Sequence, residues 1–246
     1  MSVLTRVDAL RSGRTPFVLA TVVRAERPTS AKPGDRALVL PDGTMEGFVG
    51  GSCAESTVRL QGLRLLATGE SALLRITPTE SEETVAEGVV TVGNPCLSGG
   101  SLDIFLETML PPMLVHVHGA APVARALVEI GGALGHDVRQ VDAGAPLPAD
   151  LAALVVASHG HDEEPLLTAA LRAGVPYIGL VASRRRGAAV LASLDVAGER
   201  VHTPAGLDIG ARTPAEIALS IYAQMVAERA APVAPEPHHH DHESCH

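Results

Sequence analysis

The sequence predicts an α/β protein: an N-terminal α+β domain, then a Rossmann-like, doubly wound parallel sheet, then a disordered His-rich tail. Three observations carry this prediction. Before residue 111, short apolar runs are punctuated by turns and interrupted by one helical segment, without regular alternation. Beyond Pro111-Pro112, apolar runs alternate with helix-period segments at the spacing of βαβ units. After Arg229 the chain turns to Ala and Pro and closes in His and Cys, a composition that builds no packed core. The predicted domains are therefore 1–110 and 113–229, with a flexible tail over 230–246.

A chain of 246 residues accommodates two domains of ordinary size. Hydrophobic residues make up 46% but aromatic ones only 2%, so packing must rest on Ala, Val, Leu and Ile. A net charge of -9 argues against nucleic acid or an anionic membrane as the main partner. The apolar stretch Pro16 to Val23 is too short to span a bilayer, and its flanks do not read as those of a signal peptide. Three widely spaced cysteines give no disulfide framework, so the expected compartment is a reducing cytoplasm.

In the first domain, Pro16 to Val23 reads as a buried strand. Arg36 to Leu40 and Thr44 to Val49 read as two more, joined by the turn Pro41-Asp42-Gly43. Thr57 to Ala67 carries Val58, Leu60, Leu63, Leu65 and Leu66 at roughly helical spacing. Ala72 to Ile76 and Ser101 to Glu107 read as strands, with acidic Thr79 to Glu87 an exposed loop between them. In the second domain the strands are Met113 to Val117, Val138 to Val141, Leu151 to Ala157 and Tyr177 to Val181, with Val123 to Leu134 helical. The last helix opens on Thr213-Pro214-Ala215-Glu216: an N-cap Thr, a first-turn Pro and a Glu placed to complete a capping box.

The run Gly50-Gly51-Ser52-Cys53-Ala54-Glu55 is the most informative in the chain. It places a thiol where a glycine turn leads into a helix, and the positive end of the helix dipole favours thiolate there. The competing reading is a small core cysteine after an ordinary turn. A second cysteine, Cys96, precedes Ser98-Gly99-Gly100. In the second domain Gly119 follows a strand and opens a helix, and Asp142 lies about twenty residues on, as a ribose-binding acid does. Ala121 and Ala124 stand where further glycines belong, and Pro122 removes a backbone donor, so tight dinucleotide binding is not expected.

Ser158-His159-Gly160-His161-Asp162-Glu163-Glu164 follows a strand at the end where open α/β sheets bind ligands. Asp162 as a helix cap and the two Glu in the first turn account for the acids but leave His159 and His161 unexplained. Arg184-Arg185-Arg186 begins another helix, where cations oppose the dipole unless an anion binds nearby. In the tail, His238, His239, His240, His242, His246 and Cys245 combine ligands that suit Cu, Ni or Zn. An expression tag is the alternative there.

With both halves laid out, the chain resembles the XdhC/CoxI family of accessory proteins for molybdenum hydroxylases. The resemblance runs from about Pro16 to Ala227. It rests on Leu19-Ala20-Thr21-Val22-Val23, Lys32-Pro33-Gly34, the Gly-Gly-x-Cys-x-Glu run at Cys53 and Glu55, and Cys96 with Ser98-Gly99-Gly100. It also rests on Ser158 to Asp162, Tyr177-Ile178-Gly179, Ser183-Arg184-Arg185, and most specifically on Gly206 to Ile217.

The resemblance implies a role that is not itself enzymatic: binding the molybdenum cofactor (molybdopterin), protecting it while a cysteine desulfurase supplies a sulfido ligand, and inserting it into an apo molybdenum hydroxylase of the xanthine or CO dehydrogenase type. It implies cofactor contacts at Gly50, Gly51, Cys53, Glu55, Cys96, Gly119, Asp142, His159, His161, Asp162, Arg184, Arg185 and Asp208; a thiolate at Cys53 can ligate Mo or relay sulfur, and whether Cys53 or Cys96 is the Mo ligand stays open. It further fits a homodimer. Ala121, Ala124 and Ala143 after Asp142 depart from the family pattern, and the His/Cys tail is an addition. The rival readings are an NAD(P)-dependent oxidoreductase built on the second domain and a metallochaperone acting through the tail.

Overall fold

The computed structural model describes residues 3–79, 81–93, 100–158, 160 and 162–229. The chain divides into two compact units between Pro111 and Pro112.

The first unit runs α1 (Val3–Ser12), β1 (Phe17–Glu26), β2 (Arg36–Val39), β3 (Met45–Gly47), α2 (Ser52–Thr68), β4 (Ala72–Thr77), β5 (Thr84–Ala86), β6 (Val89–Gly93) and β7 (Ser101–Met109). The strands join in one sheet ordered β3-β2-β1-β7-β4-β6-β5, antiparallel except where β4 pairs with β6. Alternation along the strands assigns each residue a face. Val18, Ala20, Ala37, Val39, Leu74 and Ile104 line the side on which α2 packs through Val58 and Leu65. Gly62 lets α2 approach β2, since a Cβ there would meet Val39 at 3.0 Å. Phe17 and Leu38 point the other way and are covered by Val7 and Leu10 of α1.

Three details differ from the sequence reading. Strand β6 (Val89–Gly93) lies where the sequence reading placed no element. The expected loop over Thr79 to Glu87 contains β5, an exposed edge strand held by backbone pairing to β6 and burying no side chain. Helix α1 was not foreseen; only Val7 and Leu10 of its ten residues are buried, too few to set a period.

The second unit runs β8 (Leu114–His118), α3 (Pro122–Ala133), β9 (Asp137–Val141), β10 (Leu151–Val156), α4 (Glu163–Ala173), β11 (Tyr177–Leu180), α5 (Arg184–Ser193), β12 (Val201–His202) and α6 (Pro214–Arg229). Its strands are all parallel, in the order β12-β11-β10-β8-β9. Odd and even residues serve opposite faces: Val115, Val117, Ala153 and Val155 meet α3 and α6, while Leu114, Leu154, Val156 and Leu180 meet α4. This is the doubly wound, Rossmann-type sheet the sequence predicted. Its third strand lies beside its first, the flavodoxin-like order and not the usual dinucleotide-binding one. The capping box of α6 forms as read: the Thr213 N–H donates to Glu216 Oε2 at 2.9 Å, and the Glu216 N–H donates to Thr213 Oγ1 at 3.3 Å.

Candidate functional site

In the first unit, three stretches of the sequence converge at one end of the sheet. The loop 31–35 docks on β1, with the Gly34 N–H donating to Val22 O and the Val22 N–H to Asp35 O. The Lys32 N–H donates to the Asp35 carboxylate at 2.8 Å, which fixes the turn and leaves the Lys32 side chain exposed. Gly50 is buried with φ at +137°, and a Cβ there would press on Ala54, Leu102 and Ala31, so this backbone requires glycine. Gly51 is the N-cap of α2 and brings no side chain to cap the first turn. Cys53 therefore stands in the opening turn of α2, half-buried, at the positive end of the helix, and forms no disulfide among the described residues.

Cys53 O accepts from Ser56 Oγ at 2.9 Å and Thr57 Oγ1 at 3.0 Å. Glu55 accepts from Arg59 at 2.7 Å in a half-exposed ion pair along the helix surface, a weak contact. Phe48, one of only three phenylalanines, is exposed just before Gly50. Cys96 lies outside the described residues.

In the second unit the candidate residues gather at the carboxyl ends of the parallel strands. Gly119 has φ at +115°, and a Cβ there would fall 2.3 Å from Ala157 O. Its glycine is thus required by contact between the loops after β8 and β10, whatever it does toward a ligand. Gly119 O accepts from Gln140 Nε2 at 2.7 Å. Asp142 follows β9 with its side chain exposed. The turn at the head of α3 is as poor in donors as the sequence indicated, with Ala121 at the N-cap and Pro122 in the first turn.

The loop after β10 corrects the sequence reading. Asp162 is the N-cap of α4 by position but adopts a left-handed conformation, φ 54°, and its side chain caps nothing. Glu163, the first residue of the helix and only 2% exposed, instead holds the preceding loop. Its Oε1 accepts from the Gly160 N–H at 2.9 Å and Ser158 Oγ at 3.1 Å, and its carboxylate takes both contacts from Arg186 Nη1, at 2.8 and 2.6 Å. Burial pulls the Glu163 carboxyl upward, but the Arg186 guanidinium and the Gly160 and Ser158 donors outweigh it and hold it below its usual range. Arg186 also donates to Val181 O at 2.8 Å, tying the loops after β10 and β11 together. Of the three arginines, Arg186 is thus consumed internally, while Arg184 and Arg185 are exposed. His159 and His161 lie outside the described residues.

A cleft of about 350 Å³ opens beyond β11 and β12. One wall is Val181, Ala182 and Arg184; the other is the Pro204–Ala211 loop, with Ile217 and Ser220 of α6 at the back. Gly206 has φ at +103° and a Cβ there would meet Ser220 Oγ at 2.3 Å, so this wall also requires glycine. Arg184 and Asp208 are brought together across the mouth, 3.9 Å apart and largely in solvent, so their mutual attraction is weak and both remain available to a ligand. The cleft carries one cation and one carboxylate at its rim.

Residues 10–77 match the model of the XdhC and CoxI family, and residues 115–225 match the XdhC Rossmann domain. The chain belongs to the XdhC and CoxI family.

Among its relatives, the molybdenum cofactor insertion chaperone PaoD of Escherichia coli (strain K12) is 24% identical over 91% of this chain and 86% of its own length. The uncharacterized protein YqeB of the same organism is 27% identical over 92% of this chain. The XdhC/CoxI chain described here spans 46% of YqeB. Among solved structures, a xanthine dehydrogenase from Bacillus halodurans is 18% identical, with a TM-score of 0.45, covering 96% of this chain and 98% of that one.

Among the described residues no cluster of three or more His, Cys, Asp or Glu is placed to hold a metal ion, and no helix is long and apolar enough to cross a membrane. The tail ligands His238, His239, His240, His242, Cys245 and His246 lie outside the described residues. Sequence reasoning missed two contributors. Glu163 had a legible signal, the spacing Gly160-x-x-Glu163 that lets a carboxylate reach back to an N–H three residues earlier. Gln224, which holds Gly206, had none: it is one polar residue in an otherwise apolar stretch of helix.

Proposed function

We propose that this chain binds the molybdenum cofactor as cargo, supports its sulfuration and inserts it into a molybdenum hydroxylase of the xanthine or CO dehydrogenase type. The observation that carries the reading is the half-buried Cys53 in the opening turn of α2, behind the uncapped Gly50-Gly51 turn, in a chain of this family. A sulfur ligand at the positive end of a helix favours thiolate, the form that binds a metal or accepts sulfur. The relative named as a molybdenum cofactor insertion chaperone supports the same role.

In this reading Gly50 and Gly51 leave room for the cofactor at Cys53, and Cys96 is the alternative thiol. In the second unit, as separate candidates, Arg184 and Arg185 suit a phosphate group, and Asp208 stands beside Arg184. Gly119, Asp142, Asp162 and the two histidines of the 159–161 loop complete the candidate set. Glu55, whose exposed carboxylate meets Arg59, belongs to the same candidate set at the head of α2. An apo hydroxylase receives the cargo, a cysteine desulfurase supplies the sulfur, and the protein acts as a cytoplasmic homodimer. The tail is proposed as a separate binder of Cu, Ni or Zn.

The test is Mo and pterin content after anaerobic purification from a cofactor-producing host, beside Cys53→Ala and Cys96→Ala. Near-stoichiometric cofactor lost only in Cys53→Ala establishes the reading. Absence of cofactor from every sample overturns it. Loss in Cys96→Ala alone moves the Mo-directed role to Cys96. Removal of residues 238–246 with no change in partner activation at limiting metal would exclude a role for the tail.

A further inference from the structure

Behind the Gly206 wall of the cleft runs a chain of polar side chains that no ligand needs to touch. Gln224 of α6 is its hub. Its Oε1 accepts from the Gly206 N–H at 2.8 Å and from the Tyr177 hydroxyl at 2.8 Å. Two donors on one oxygen fix which way the amide faces, so its Nε2 is the end that meets His202 Nδ1 at 3.1 Å. His202 Nδ1 is then an acceptor, which puts the ring proton on Nε2, where it donates to Glu228 at 3.0 Å. The Tyr177 and His202 rings stack at 4.8 Å between centroids and 12° between planes. Tyr177 lies in the space a side chain at Gly179 would need, since a Cβ there would come 3.0 Å from its ring. Burial, with Glu228 adding to it, raises the Tyr177 phenol well above its usual range and keeps it a donor.

We infer that Gln224, which lines no part of the cleft, is the positioning residue for the Gly206–Gly210 wall and so for the hold on a ligand between Asp208 and Arg184. The ligand clause rests on the proposed function. The physical reason is the accounting of backbone donors. Gly206 is locked by its positive φ and by the Leu207 N–H to Ser220 O bond on its far side, at 3.1 Å. Its own N–H faces the domain interior, and Gln224 is the acceptor there. A backbone donor left without its partner is costly, so loss of the amide oxygen drives the loop to rearrange toward water.

Two replacements separate this from ordinary destabilisation. Gln224→Glu keeps an acceptor for both Gly206 and Tyr177, whereas Gln224→Leu removes it at similar volume. Tyr222→Phe serves as a control for a deleted hydrogen bond elsewhere on α6. Hydrogen exchange at the Gly206 and Leu207 amides is followed beside Mo and pterin content of full-length protein from a cofactor-producing host. We expect exchange to accelerate by about tenfold or more in Gln224→Leu, with cofactor content several-fold below wild type. Gln224→Glu restores both, and Tyr222→Phe leaves both unchanged.

If Gln224→Leu shows wild-type exchange at Gly206, the positioning role is overturned whatever the cofactor does. If exchange rises but cofactor content holds, the wall moves without consequence and the ligand clause is overturned, while the proposed function stands. If wild type itself carries no cofactor, the proposed function fails and takes the ligand clause with it, and Gly206 exchange alone decides the positioning role.

Discussion

The hydroxyl of Tyr222 occupies the space that a side chain at Gly131 would need: a Cβ there would fall 2.1 Å from the phenol oxygen. That hydroxyl donates to Leu127 O at 2.8 Å in the buried seam between α3 and α6. Burial pushes the phenol up to about 12, so it stays a donor at any ordinary pH. Gly131→Ala must either evict Tyr222 or separate the helices, an overpacking cost of about 1–3 kcal/mol. Tyr222→Phe keeps the shape and loses about 1 kcal/mol. Denaturant unfolding of the two variants checks the order, with Gly131→Ala the more damaging.

Glu163 and Arg186 form the tightest ion pair at the candidate end of the second unit. Arg186→Met leaves a nearly fully buried carboxylate without its cation and is expected to cost about 3 kcal/mol. Arg186→Met with Glu163→Gln recovers part of that loss, because the neutral amide needs no counter-charge. A double-mutant cycle by chemical denaturation measures the coupling.

The same pair gives a pH dependence with a definite sign. The Glu163 carboxyl is held below its ordinary value in the native state. Its contribution is therefore complete above the unfolded carboxyl's pKa and is lost as pH falls through the lower native value. Thermal midpoints between neutral pH and pH 3 should fall less steeply in Glu163→Gln than in wild type. An identical acid limb in both would contradict the assignment.

His116 adds a second pH dependence at milder acidity. The imidazole is buried in the sheet, and its Nδ1 has no hydrogen-bond partner among the described residues. Desolvation lowers its pKa and Arg139 lowers it further, outweighing Asp137 and Asp150. The unfolded chain takes up the proton first, so stability declines as pH drops below the ordinary imidazole value of about 6.5. His116→Leu should flatten the stability profile as pH falls below about 6.5, read as thermal midpoint against pH.

Gly119→Ala tests the contact between the loops after β8 and β10. Its φ of +115° disfavours any side chain, and the new Cβ would strike Ala157 O. Destabilisation of more than about 1 kcal/mol is expected. Loss of stability here would mark Gly119 as a structural glycine, independent of any ligand.

The family, the fold class and most element positions were legible in the sequence, because apolar periodicity and turn residues report local structure directly. The capping box of α6 was read and found atom for atom. So was the turn at Pro41-Asp42-Gly43, where the Thr44 N–H donates to Asp42 Oδ1 at 2.9 Å. The errors fell where local signals are silent or shared. Asp162 has a capping residue's chemistry, but it adopts a left-handed conformation and caps nothing, while Glu163 turns back to the Gly160 N–H.

By itself, then, the sequence determined most of the helices and strands, the two architectures, and the motifs at Cys53 and Gly206. Spacing and residue type fix those within a few neighbours along the chain. Only the tertiary structure decided that Arg186 belongs to Glu163 while Arg184 meets Asp208 at a cleft, that β10 lies beside β8, and that Gln224 holds Gly206. Each of these turns on which side chains a packed interior brings within hydrogen-bonding distance across 18 or more residues of chain. No local pattern encodes that choice, because it is set by the burial of both partners together.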